Sequence, residues 1–147
     1  MENNLILIKK FINHITLLLF MKTILVDAVD TYIIEGEGVF EEMHELLETY
    51  PNKKIVVTNA NDEEILLYSV DKSRYDVYTL KHQPNKTDTK YFEKLFKHFN
   101  LTAEDVIYFE HNIDAVKAAQ SIGIKSYYYD AEKKDLKLLK QFLDENA

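Results

Sequence analysis

The chain reads as a doubly wound α/β domain, a five-stranded parallel sheet with helices on both faces. Three observations predict it. Short apolar runs at Ile24–Val26, Ile55–Val57 and Val106–Phe109 have the continuous pattern of strands covered on both sides. Segments with apolar residues at helical spacing separate these runs. The connections are short, so each strand is followed by a crossover helix, and right-handed crossovers stack helices on both faces.

Taken in order, the first strand is Thr23 to Asp27, ending in a carboxylate. Gly36 and Gly38 mark a loop, and Val39, Phe40, Met43, Leu46 and Leu47 give the next segment one apolar helical face, ended by Pro51-Asn52. Lys54 to Thr58 is the second strand, and Asn61 is placed to cap a helix running through Ile65, Leu66 and Leu67 to about Val70. Tyr75 to Leu80 reads as the third strand, followed by a polar loop with Pro84 and a helix from Asp88 to Phe99. Val106 to Phe109 is the fourth strand, and Asn112 opens a helix that Gly123 ends. Lys125 to Tyr129 makes the fifth strand, with alternate tyrosine rings buried, and Lys133 to Glu145 the last helix.

The chain has 147 residues, enough for one core but not for a second large domain. Its formal net charge of −7 opposes a polyphosphate backbone, so nucleic acid is not an expected partner. There is no cysteine, which removes disulfides, thiolate zinc sites and cysteine nucleophiles; this suits a reducing, cytoplasmic setting. Residues 1–20 are more apolar than anything after them, but Lys9, Lys10 and His14 interrupt the run, so a membrane span is not expected. No small-residue cleavage site follows. This stretch reads as an amphipathic helix or an extension ahead of a domain covering residues 21–147, with Met21 an alternative start. An anchoring role on a membrane or partner is a further reading of it.

In a doubly wound sheet the carboxyl ends of the strands share one edge, where ligands bind. That edge collects Asp27, Thr58 with Asn59, and Glu110 through Asp114. Asp27 has three readings here: nucleophile, metal ligand or loop cap. Two facing carboxylates can hold Mg²⁺, and a hydroxyl with the N–H groups opening a helix can hold phosphate oxygens. Lys86 lies in the loop before the third crossover helix, within reach of the same edge, but it also stands among surface lysines. His111 reads as a polar residue at the rim, because no second histidine lies at metal-site spacing.

These pieces resemble the haloacid dehalogenase-like (HAD) superfamily over Met21 to about Tyr129. ILVDAVDT supplies Asp27 and Thr31, IVVTNAN supplies Thr58, and NKTDTKYFEKLFKHFNLTAEDVIYF is similar to the family's lysine segment, with Lys86 in the lysine position. EHNIDAVKAAQSIGI resembles its fourth motif. The resemblance implies a Rossmann-like strand order 3-2-1-4-5 and a HAD-type hydrolase. On this pattern Asp27, Asp30, Thr58 and Lys86 are the catalytic candidates, and Thr58, Asn59 and Lys86 would bind phosphate. Mg²⁺ would lie among Asp27, the Val29 position, Glu110 and Asp114.

Two departures bear on activity. Val29 stands where hydrolytic members carry a second aspartate, the general acid and base; Asp30 comes one residue later. In the fourth motif the expected acidic pair is Glu110-His111. The resemblance therefore leaves open both a phosphatase and a catalytically degenerate binding or regulatory protein. No cap domain interrupts the connections from Asp27 to Thr58 to Lys86, which implies a large phosphorylated substrate or a macromolecular partner that covers the site.

Overall fold

The computed structural model describes residues 1–147, the Leu18 side chain excepted. Helix α1 (Glu2–Phe20) leads into β1 (Thr23–Asp27). Two short strands, β2 (Ile33–Ile34) and β3 (Gly38–Val39), precede α2 (Glu41–Glu48) and β4 (Lys54–Thr58). Then come α3 (Asp62–Leu67), β5 (Asp76–Thr79), α4 (Thr89–Phe99), β6 (Val106–Glu110), α5 (Ile113–Ser121), β7 (Lys125–Tyr128) and α6 (Leu136–Asn146). The main sheet is parallel throughout, with order β5-β4-β1-β6-β7. Counting only its five strands, this is the expected order 3-2-1-4-5.

The period-2 alternation of strands divides the core into two halves, one on each face of the sheet. Ile24 and Val26 of β1 join Val56, Ile107 and Phe109 against Met43 and Leu47 of α2 and Leu139 and Leu143 of α6. Leu25, on the opposite face, joins Ile55, Val57 and Tyr108 against Phe92 and Leu95 of α4 and Ala119 of α5. All five residues of β1 and all five of β6 are buried, as their unbroken apolar runs require.

Local signals set the helix ends. The Asn61 side chain accepts from Glu64 N–H while Glu64 reaches back to the Asn61 N–H, a reciprocal capping box. Asp88, Asn112 and Asp135 accept from the first N–H groups of α4, α5 and α6. After α5, Gly123 takes φ +88°, a left-handed conformation open to glycine at no cost, and turns the chain into β7.

Several expectations are corrected in detail. The loop at Gly36 and Gly38 forms a two-residue antiparallel hairpin, β2 with β3, so Val39 belongs to a strand and not to the helix. Helix α3 ends at Leu67, and a separate 3₁₀ turn spans Val70–Lys72. Its Leu66 and Leu67 are exposed; only Ile65 and the adjoining Tyr68 pack partly against the core. The last helix begins at Leu136, where Asp135 caps it, and not at Lys133. Among the tyrosines of β7 and its exit, Tyr129 is buried, Tyr127 half-buried and Tyr128 exposed. Helix α1 forms, but every described side chain along it is exposed, so none of its faces joins the core. Among the described residues, no helix is long and apolar enough to cross a membrane.

Candidate functional site

The strand register brings the candidate residues to one edge. Asp27 stands level with Val57 on β4, so Thr58 and Asn59 lie one and two residues beyond it. On the other side Val26 is level with Phe109, which puts Glu110 beside the Asp27 position. The segment after β1 folds tightly on its own hydrogen bonds: Thr31 and Ile33 N–H donate to Ala28 O at 3.2 and 2.9 Å, and Tyr32 N–H to Asp27 O at 3.2 Å. This returns the Thr31 hydroxyl to the Asp27 carboxylate, where it donates to Oδ2 at 2.7 Å.

Asp27 is 2% exposed and Glu110 is fully buried, so both need partners. Lys86, 6% exposed, enters from the loop before α4. Its Nζ lies 2.6 Å from Asp27 Oδ1 and 2.6 Å from Glu110 Oε1, and donates to Val57 O at 3.3 Å. The loop is held by Lys86 N–H donating to Asn59 Oδ1 at 2.7 Å. On the cleft side, His111 Nδ1 makes a short contact with Asp27 Oδ2 and lies 3.2 Å from Glu110 Oε2. Asn112 N–H donates to Glu110 Oε2 at 3.1 Å, and the buried Tyr108 hydroxyl donates to Oε1.

These contacts move the proton affinities. Burial alone would raise Asp27, but Lys86 and the His111 hydrogen bond hold its carboxyl well below the usual carboxylate range. Burial and the neighbouring Asp27 push Glu110 up, against Lys86. Lys86 is pushed up despite its burial, because two carboxylates face it. His111 rises from 6.5 to about 10 through its hydrogen bonds to Asp27 and Glu110.

The shift on His111 has a stability consequence. Its folded value lies above its unfolded value, so the stabilisation is complete below pH 6.5 and is lost as pH rises through about 10. The groups facing the ring are Asp27, Glu110 and Asp30, with Lys86 beyond the two buried carboxylates. Glu110, shifted up, loses stability with rising pH from the carboxylate range, and Asp27, shifted down, loses it only at acid pH. Neither carboxyl produces a decline confined to the alkaline window. Urea unfolding across that window is expected to show a decline on the order of 2 kcal/mol, discounted for the partial exposure of the ring. The His111→Asn variant should lack most of that slope.

Asp27, Thr58, Asn59, Lys86 and His111 line one cleft with Val29, Glu64, Tyr68 and His82. Its volume is about 150 Å³. Thr58 is buried, and its Oγ1 accepts from Ala60 N–H at 3.2 Å while the hydroxyl hydrogen stays free to donate. Asn59 Oδ1 accepts from the Lys86 N–H, and its amide nitrogen can donate to a ligand.

Asp30 adopts φ +65°, a left-handed conformation that aspartate tolerates. Its carboxylate is 62% exposed, with Oδ2 3.9 Å from His111 Nε2, so it approaches the site through that ring. Val29 presents an apolar side chain to the cleft.

The close-set potential metal donors are Asp27, Glu110 and His111, whose ligand atoms lie within 4.8 Å of one another. Asp114, on the first turn of α5, is exposed and stands outside this group, and Val29 adds no side-chain ligand. The arrangement does not fit Mg²⁺ as it stands. Mg²⁺ takes hard oxygen donors in a near-octahedral shell, whereas here both carboxylates accept hydrogen bonds from Lys86 and His111.

His111 is corrected from a rim residue to a central one. Its sequence signal was its place directly after a strand-end glutamate, on the strand next to Asp27. Glu64, Tyr68 and His82, also unforeseen, line the cleft; His82 Nε2 lies 2.6 Å from Glu64 Oε1.

No family model matches the chain, and no characterised protein matches it by sequence. Solved structures do match. The crystal structure of an uncharacterized protein from Corynebacterium glutamicum aligns with a TM-score of 0.51 at 15% identity, over 83% of this chain and 95% of that one. A HAD-superfamily hydrolase from Geobacter sulfurreducens aligns with a TM-score of 0.48 at 21% identity, over 63% of this chain. The match covers 47% of the Geobacter protein, about half its length. The fold is a doubly wound, Rossmann-like α/β sheet. Its strand order is the one the HAD resemblance implies, and the acidic, hydroxyl and lysine positions meet at one sheet edge.

Proposed function

We propose that the chain is a HAD-like phosphoryl hydrolase in which Asp27 is the nucleophile. The observation that carries this reading is a buried, ionised Asp27 in a cleft, beside Lys86, with Thr58 lining the same cleft. The Asp27 carboxylate attacks phosphorus, the bond from phosphorus to the leaving oxygen breaks, and an aspartyl-phosphate forms. Lys86 and His111 offset the charge on the transferred group, and the Thr58 hydroxyl and Asn59 amide donate to its oxygens. Water then attacks phosphorus, and the Asp27 carboxylate leaves.

Val29 can neither protonate the departing oxygen nor activate the water. Turnover is therefore slow and favours leaving groups that depart as stable anions. At about 150 Å³ the cleft is below the roughly 300–1,000 Å³ of sites that enclose small molecules. It admits a phosphoryl group and leaves the rest of the substrate outside. The substrate is then a phosphate ester on a larger molecule, or the cleft is covered by a macromolecular partner.

A second reading, a non-hydrolytic binding or regulatory module, is favoured by Val29 and by the mutual neutralisation of the charges on the cleft floor. The experiment is hydrolysis of p-nitrophenyl phosphate by the purified chain, with and without Mg²⁺, beside Asp27→Asn. Turnover that falls at least about 10³-fold in the variant supports the hydrolase, the scale of removing a catalytic nucleophile. Equal, background rates in both proteins would favour the module.

A further inference from the structure

The charges under the cleft form a closed ring. Asp27 gives Oδ1 to Lys86 and Oδ2 to His111, while Glu110 gives Oε1 to Lys86 and Oε2 to His111. Each carboxylate is thus shared between one buried ammonium and one imidazole. The two cationic side chains occupy different sides of the pair. Lys86 is 7% exposed at its side chain and His111 32%, so His111 is the more accessible of the two.

The other oxygens accept further hydrogen bonds, while Asp27 Oδ1 has Lys86 alone. Asp27 Oδ2 accepts from the Thr31 hydroxyl at 2.7 Å and from His111 N–H at 3.3 Å. Glu110 accepts from the Tyr108 hydroxyl on Oε1 and from Asn112 N–H on Oε2. His111 Nδ1 faces three acceptor oxygens, with Thr31 Oγ1 at 3.4 Å the third, so this nitrogen carries a hydrogen. A nitrogen that donates has no lone pair for a metal, and the ring fills the gap between the carboxylates that an ion would bridge.

We infer that the His111 ring stands in for a divalent cation: it closes the Asp27–Glu110 pair from the cleft side, and the site takes up Mg²⁺ only when that ring is removed. The choice of Mg²⁺ as the displaced ion rests on the HAD-like reading of the site. The ring Nδ1–H faces one oxygen of each carboxylate, so it occupies the place of a counter-ion to the pair. The site then carries its counter-charge as part of the chain, and needs no ion from solution to keep two carboxylates side by side.

The test is calorimetric titration of Mg²⁺ into the full chain and into His111→Asn and His111→Asp, without substrate, so that an inactive enzyme does not affect the result. The wild-type chain is expected to give no binding heat in the millimolar range. Both variants should bind at least about tenfold more tightly, since unit charges a few ångström apart interact by more than one decade of affinity near a protein surface. Mg²⁺ binding by the wild type equal to that of the variants would overturn the inference, as would folded variants that bind none. Circular dichroism establishes whether the variants fold. If neither does, the ring ¹⁵N resonances of wild-type His111 decide. Resonances unmoved by Mg²⁺, Mn²⁺ or Zn²⁺ support the inference, and a saturating shift overturns it.

Discussion

The Lys86→Met variant is expected to lose about 3–5 kcal/mol of unfolding free energy, the cost of breaking a buried ion pair from one side. The methionine keeps most of the apolar stem and removes the charge. What remains is a pair of buried carboxylates, Asp27 and Glu110, with His111 as their only cationic partner. Their mutual repulsion, offset by Lys86 in the wild type, then falls on Glu110, which burial and Asp27 already push toward the protonated form. Equilibrium urea unfolding at neutral pH measures the loss. Two controls locate its source. Lowering the pH toward the Glu110 value should shrink the difference between variant and wild type, because a protonated Glu110 needs no cation. The double variant Lys86→Met/Glu110→Gln should recover part of the lost stability, a coupling that a double-mutant cycle reads directly. A loss under about 1 kcal/mol would place Lys86 in solvent, among the weak surface pairs.

The sheet was legible because its strands are covered on both faces, and continuous apolar runs such as Leu25-Val26 and Ile107-Phe109 have few other uses. The caps were legible because Asn61 and Asn112 act within three residues of themselves. Helix α3 was harder to bound. Its leucines at positions 66 and 67 imitate a core stripe, yet they face outward, and an exposed apolar residue is common enough to carry little information.

The site divides along the same line. Asp27 and Thr58 announce themselves by standing at the ends of apolar strands. Residue type alone did not separate Lys86 from Lys81, Lys90, Lys94 and Lys97, and only the family resemblance singled it out, because its partners lie 59 and 24 positions away in the chain. His111 was set aside for lack of a second histidine, a test suited to zinc sites. Its actual partner is Asp27, 84 residues earlier, and only the pairing of β6 with β1 brings them together. Asp30 depends on a backbone property: at φ +65° it turns toward solvent and His111, which its residue type permits but does not announce.

Val29→Asp is expected to raise turnover of alkyl phosphates by about 10²–10⁴-fold, the usual contribution of a positioned general acid or base. Val29 already lines the cleft two residues beyond Asp27, the proposed nucleophile, so the substitution adds a carboxyl to the wall of that cleft. The surroundings suit the role. Val29 is half-buried, and partial burial disfavours a new carboxylate there, which holds the group partly protonated and able to donate. The gain should depend on the leaving group. An aryl phosphate departs as a stable anion and gains less in its first step, whereas an alkyl phosphate needs the proton and gains most. Comparing kcat/KM on the two substrate classes for wild type, Val29→Asp and Val29→Asn separates acid catalysis from polarity alone, because the amide is polar but has no proton to exchange. Gains in the aspartate variant alone would identify Val29 as the residue that limits a competent site. No gain in either, with wild-type turnover abolished by Asp30→Asn, would assign the acid role to Asp30, acting from its position beside His111.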